Sequence, residues 1–150
     1  MRGQSGFTLI EIVCVLAIVS LLAALALPMF PRATPRARLE GYALQIAAML
    51  KGDRAAAMRG GRQVSTTFDA AGLSVRSGWS DERLALPADV GFNALVAKTC
   101  AGKRAGASID FFPTGMSCGG AVDIWRGGMG YEVRVNWLTG GVEIVPIVKQ

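Results

Sequence analysis

The sequence predicts an α+β fold: a long N-terminal helix kinked at prolines, followed by a head of short antiparallel strands. Three observations carry this. Phe7 to Leu27 holds one charge, Glu11, and neither Gly nor Pro. Leu39, Tyr42, Ala43, Ile46, Met49 and Leu50 then recur at three- and four-residue spacing, which gives a helix one apolar face. Beyond Gly61 the pattern changes to short alternating runs separated by Gly, Pro, Asp and Ser. A helical stretch followed by a run of strands reads as α+β.

The chain has 150 residues, 51% hydrophobic and 18% charged, which is enough for one ordinary domain. Its apolar excess is concentrated in Phe7–Leu27. At about 1.5 Å per residue, a helix of that length reaches roughly 30 Å, the thickness of a bilayer's hydrocarbon core. A secretory signal has a basic start, a short apolar stretch and a small-residue cleavage site after it. Here the order is inverted: the polar stretch Met1–Gly6, containing Arg2, precedes the apolar run. Arg2 fits a cytoplasmic start, which directs the C-terminal part outward. A generic signal anchor shares these features.

Glu11 goes beyond them. An ionisable group inside a membrane segment costs a few kcal/mol and ordinarily has a partner, yet the run contains no Lys or Arg. A free amine at Phe7, created by removal of residues 1–6, would supply one. Gly6 followed by Phe-Thr-Leu-Ile-Glu resembles the class III signal of type IV pilins and type II secretion pseudopilins. The resemblance implies that a prepilin peptidase cuts between Gly6 and Phe7, that Phe7 is then N-methylated, and that Glu11 pairs with the N-terminal amine of a neighbouring subunit during assembly.

Pro28, Pro31 and Pro35 interrupt the helix, since each lacks the N–H an interior position would donate. Thr34 can cap a second helical half with Pro35 at its first position, and Gly60 and Gly61 end it. The pilin resemblance implies the same layout, with the first half in the membrane and the second packed under a β-sheet. The expected division is a leader at 1–6, a transmembrane helix at 7–27, the periplasmic half of the helix at 28–61 and a β-rich head at 62–150.

Candidate strands in the head are Gln63–Phe68, Leu73–Ser77, Val90–Val96, Ser108–Phe112, Val122–Trp125, Tyr131–Leu138 and Val142–Val148. The last two suit a hairpin turned at Leu138-Thr139-Gly140-Gly141, where glycine permits positive φ. Pro146 assigns the last strand to a sheet edge. Ala48–Arg62, the run Ile109–Gly120, a Tyr-x-Val-x-Val strand and Thr139-Gly140 together resemble the group holding the minor pseudopilin H of type II secretion and the minor pilin FimT.

Charge helps to choose between those branches. From Pro28 to Gln63 seven basic residues face two acidic ones, whereas from Val64 to Gln150 eight face eight. The basic excess therefore belongs to the stalk, where solvation, anionic headgroups or subunit packing explain it more economically than DNA does. In DNA-binding minor pilins arginines commonly follow a Thr-Gly near the C-terminus, but here Gly140-Gly141-Val142-Glu143 has none. Nucleic acid is accordingly disfavoured as a partner.

Catalytic chemistry finds little support. With no His, the commonest general base and metal ligand is missing. Asp81-Glu82 beside Trp79 and Ser80 reads as a solvated turn, and Gly127–Gly130 lacks the strand-then-helix context of a phosphate loop. No catalytic residue, metal site, cofactor or small-molecule substrate is expected. Cys14, within the apolar run, reads as a small buried hydrophobe. Cys100 and Cys118 lie in the exported half, where the bacterial periplasm permits disulfides; a bridge is favoured, and two unpaired thiols remain the alternative.

The expected protein is a minor pseudopilin, a structural subunit that helps export folded proteins across the outer membrane and not an enzyme. Its expected partners are other major and minor pseudopilins, the prepilin peptidase and the inner membrane. It would span that membrane once with its C-terminal domain in the periplasm, and be extracted into the pseudopilus on assembly. The alternatives are a FimT-like minor pilin that binds DNA during uptake and a signal-anchored periplasmic enzyme.

Overall fold

The computed structural model describes residues 8–26 and 35–149. The chain divides into two compact units, Met1–Ala33 and Thr34–Gln150. The expected proline kink at Pro28 and Pro31 and the Thr34 cap lie outside the described residues.

In the first unit, Leu9–Ala26 forms helix α1 of 18 residues. It is apolar on every side, with Glu11 in its first turn as its only charge. Among the described residues no helix is long and apolar enough to cross a membrane. The run read as membrane-spanning, Phe7–Leu27, extends beyond the described part of α1 at both ends.

The second unit opens with α2, Pro35–Gly60. Pro35 stands where its missing N–H costs no helical bond. At the other end Gly61 takes φ +60°, a left-handed conformation that closes helices without strain when the residue is glycine. Leu39, Ala43, Ile46, Leu50, Asp53 and Ala57 are buried along one stripe.

That stripe packs on strands of two four-stranded antiparallel sheets. The first runs β3-β2-β1-β7, built from β1 (Val64–Asp69), β2 (Ser74–Arg76), β3 (Arg83–Ala85) and β7 (Ser108–Phe111). The second runs β10-β9-β8-β4, built from β4 (Gly91–Val96), β8 (Gly120–Arg126), β9 (Met129–Val135) and β10 (Val142–Val148). A two-stranded hairpin, β5 (Thr99–Cys100) with β6 (Lys103–Arg104), stands apart from both. The fold is α+β, but its head holds two principal sheets where the sequence suggested one.

Register follows from the alternation of apolar residues. In the second sheet Phe92, Ile124 and Tyr131 align across three strands, as do Ala94, Val122, Val133 and Ile144 across four. These rows face the α2 stripe, and Ile46, Leu50, Ile109, Phe111, Val122, Ile124 and Val133 are fully buried between helix and sheets. Strand β10 has β9 as its one neighbour, so Pro146 sits on an edge where its missing donor breaks no ladder.

Two turns differ in detail from expectation. Strand β9 ends at Val135 instead of Leu138, because the Asn136 side chain folds the chain: its Oδ1 accepts from Leu138 N at 2.9 Å and Thr139 N at 3.0 Å. The hairpin loop therefore spans 136–141, with Gly140 at φ +63°. Gly127 and Gly128 join β8 to β9 as a two-residue turn at φ +56° and +81°, a strand-to-strand connection. The three short strands β3, β5 and β6 had no counterpart among the candidate strands.

Candidate functional site

The sequence singles out the N-terminal segment first. Gly6 and Phe7, the proposed cleavage and methylation positions, lie outside the described residues. Glu11 is described: it lies in the first turn of α1, its backbone N–H donating to Thr8 O at 3.1 Å. A carboxylate near a helix N-terminus is favoured by the helix dipole, but no described residue forms an ion pair with it.

Around Glu11 the helix surface is hydrocarbon exposed on all sides. Leu9, Ile10, Val13, Leu16, Ile18, Leu21 and Leu22 are all exposed. Ser20 turns its hydroxyl inward, donating to Leu16 O at 2.7 Å, and so hides its polarity from the surroundings. A helix apolar all round must be covered by lipid or by other helices. Cys14, which the sequence suggested as a small buried hydrophobe, is exposed on α1.

In the second unit a buried carboxylate on α2 holds a position that carried no role in the sequence analysis. Asp53 is buried on the α2 stripe. Its Oδ2 accepts from Thr66 Oγ1 at 2.6 Å and Gly78 N at 3.0 Å, and its Oδ1 accepts from Ser77 Oγ at 2.5 Å and Trp79 N at 3.2 Å. One carboxylate thus fastens β1 and the loop after β2 to the helix. The signal was present in the sequence: Asp53 continues the spacing of Leu39, Ala43, Ile46 and Leu50, placing a carboxylate on an apolar face. An open depression of about 330 Å³ lies over this position, lined by Gln45, Met49, Trp79 and Leu84 among others. The carboxylate already holds four donors and so has little to offer a ligand there.

Cys100 and Cys118 form a disulfide with a Cα–Cα distance of 5.6 Å. The bond ties the β5–β6 hairpin to the segment that leads into β8. Closing a loop of this size contributes about 3 kcal/mol in the chain-entropy model. The Asp110 carboxylate lies within 4.8 Å of both sulfurs, a grouping that would suit a metal if the thiols were free. With the sulfurs bonded to each other, the thiolates such a site needs are not available.

The Asp81-Glu82 pair is exposed, and Asp81 meets Arg76 at 3.5 Å in a solvated ion pair. The loop of Gly140 presses on the head: a Cβ there would stand 2.2 Å from Gly115 O and 2.7 Å from Arg54 Nε. Arg54 itself donates to Gly115 O at 3.0 Å, so α2, the 112–117 turn and the β9–β10 loop meet at one point. At the start of α2, hydrogen bonding to the Tyr131 phenol raises the pKa of the Arg36 guanidinium further above its already high value.

Comparison with known proteins agrees with both halves of this description. Residues 1–27 match the prokaryotic N-terminal methylation motif. Two fimbrial proteins of Pseudomonas aeruginosa are 35% identical over 66 residues, a match that covers 44% of this chain and 43% of theirs. The chain thus aligns with less than half the length of these curated relatives. Among solved structures, the minor pseudopilin EpsH from the type 2 secretion system of Vibrio cholerae superposes with TM-scores of 0.56 and 0.58 at 10% identity. Those superpositions cover 71% and 75% of this chain and 95% and 96% of EpsH. The type IV minor pilin FimU of Pseudomonas aeruginosa superposes with a TM-score of 0.55 at 16% identity, covering 74% of this chain and 90% of FimU. The chain carries the N-terminal methylation motif of prokaryotic prepilin-like proteins on the fold shared by that minor pseudopilin and that minor pilin.

Proposed function

We propose that this chain is a minor pseudopilin of a type II secretion system. In this reading the leader Met1–Gly6 is removed by a prepilin peptidase and Phe7 is N-methylated. The apolar run Phe7–Leu27 anchors the protein once in the bacterial inner membrane with its head in the periplasm. Assembly extracts it into a pseudopilus beside other major and minor pseudopilins, where its work is packing and presentation, without catalysis. The observation that carries this reading is α1: an exposed, apolar helix with one carboxylate in its first turn, lying within the stretch that matches the methylation motif.

The physical logic is a change of partner. In the membrane lipid covers α1; in a fibre, neighbouring helices do. An unpaired Glu11 is costly in either setting, and the amine of a processed Phe7 on an adjacent subunit would neutralise it. The β9–β10 loop favours secretion over DNA uptake, since Thr139-Gly140 is followed by Gly141, Val142 and Glu143 with no arginine to meet a phosphate. Deleting the gene and comparing secreted proteins with DNA uptake tests the choice. Loss of extracellular proteins with normal DNA uptake is expected; normal secretion with impaired uptake would overturn the secretion reading.

A further inference from the structure

The head counts eight basic and eight acidic residues from Val64 onward, but the structure does not spread them evenly. Four of the cations are ion-paired: Arg76 with Asp81, Arg126 with Asp89, Arg134 with Glu132, and Lys149 with Asp123. A fifth, Arg83, shares a depression with Asp69. The three that remain, Lys98, Lys103 and Arg104, all belong to the β5–β6 hairpin and its approach. All three are exposed, and none forms an ion pair among the described residues. Ala97–Ala107 contains no acidic residue; the nearest carboxylate, Asp110, stands at the root of the hairpin and accepts from Ser108 Oγ at 3.1 Å.

This hairpin is held in place. The disulfide anchors Cys100 to Cys118, and Ala105 N donates to Lys98 O at 3.0 Å. Large exposed apolar side chains stand beside the anchor. Trp137 is 62% exposed, and its Cβ would lie 3.1 Å from a Cβ built on Gly119, the residue after Cys118. Leu138 follows it, and Leu95, 59% exposed, pairs with Ala121 in the adjoining strand. Rigid aromatic and aliphatic groups beside unpaired cations are the composition of a protein interface, with an apolar centre and a polar rim. A nucleic acid would use the three cations and could stack a base on Trp137, but it would leave the aliphatic Leu95 and Leu138 without a partner.

We infer that the β5–β6 hairpin, with Lys98, Lys103, Arg104 and the neighbouring Trp137, is the surface by which this head docks a neighbouring pilin-like subunit through an apolar patch ringed by carboxylates. The inference rests on the fibre-subunit reading above, which gives each head neighbours to meet. Charge complementarity selects the acidic rim, and the disulfide pre-orders the hairpin so that little conformational entropy is lost on docking.

The test uses the full-length protein in cells that produce it, with a photoreactive benzophenone amino acid in place of exposed Thr99. Irradiation should yield an adduct with a protein that itself carries an N-terminal methylation motif, joined at a peptide containing Asp or Glu. Combining Lys98→Glu, Lys103→Glu and Arg104→Glu should lower the adduct about tenfold, whereas exchanging Lys for Arg and Arg for Lys should preserve it. Retention of the Cys100–Cys118 bond in every variant controls for folding. A nuclease-sensitive adduct, an adduct with a protein lacking the motif, or no adduct from a correctly processed chain overturns the docking inference. An unprocessed N-terminus in cells with active prepilin peptidase instead overturns the fibre-subunit reading, so the two failures are distinguishable.

Discussion

Asp53 Oδ2 accepts the hydroxyl hydrogen of Thr66 at 2.6 Å, a buried bond between the middle of α2 and the first strand. The same carboxylate takes Ser77 Oγ and the backbone N–H groups of Gly78 and Trp79. Asp53→Ala therefore takes an acceptor from four donors at once, of which Trp79 N keeps a second, Ser77 Oγ at 3.2 Å. Because buried unsatisfied groups cost about 1–3 kcal/mol each and relaxation recovers part of this, a loss of roughly 3 kcal/mol is expected. Asp53→Asn should lose less, since its remaining carbonyl oxygen still accepts. Urea unfolding midpoints of the full-length protein in detergent would measure both; an Asp53→Ala midpoint equal to that of the parent would remove the clamp.

Gly140 combines a positive φ with a close approach to Gly115 O and Arg54. A methyl group at that position meets backbone that cannot yield, so Gly140→Ala should cost about 2 kcal/mol or more. Gly61 also has positive φ, but a Cβ there meets nothing within 4 Å. Gly61→Ala should accordingly cost only about 1 kcal/mol, the conformational part alone. Equal thermal shifts for the two variants would refute the packing component at Gly140.

On the proposed reading, processing and assembly should separate at two residues. Replacing Gly6 should block cleavage, whereas Glu11→Ala should leave cleavage intact and impair incorporation into the fibre. Mass spectrometry of the mature chain is expected to find methylated Phe7 at the N-terminus. Normal fibre incorporation of Glu11→Ala would eliminate the pairing role, and an intact Met1 start in cells with active peptidase would sink the prepilin reading.

The disulfide gives a prediction tied to orientation, because it requires an oxidising compartment. Non-reducing peptide mapping of the exported protein should link the peptides of Cys100 and Cys118. Replacing both by Ser should destabilise the protein by about 3 kcal/mol in the chain-entropy model. Alkylation of both thiols in the folded, exported protein would contradict the bond.

Much of the architecture was legible because it depends on local rules. The α2 stripe, its ends at Pro35 and Gly60, seven of the ten strands and the edge position of Pro146 all follow from periodicity, φ preference and missing donors. Strands β3, β5 and β6 were not legible. Arg83–Ala85 has three residues and one half-buried side chain, and Thr99–Cys100 pairs with Lys103–Arg104 in a hairpin too small to show alternation. Asp53 was visible as a charge, but its acceptor role depends on Thr66, Ser77 and the 78–79 backbone arriving from separate segments.

The N-terminal motif, with Glu11 on an otherwise apolar helix, was determined by the sequence alone, since those features are contiguous and need no folding to be recognised. Charge placement in the head was decided only by tertiary structure. Counting residues makes the head neutral, but ion pairs of Arg76, Arg126, Arg134 and Lys149 with nearby carboxylates leave Arg83 beside Asp69 and gather Lys98, Lys103 and Arg104 on the β5–β6 hairpin and its approach. Net charge is a sum over the chain, whereas a local field depends on which opposite charges lie within a few ångströms, and only the fold sets those distances.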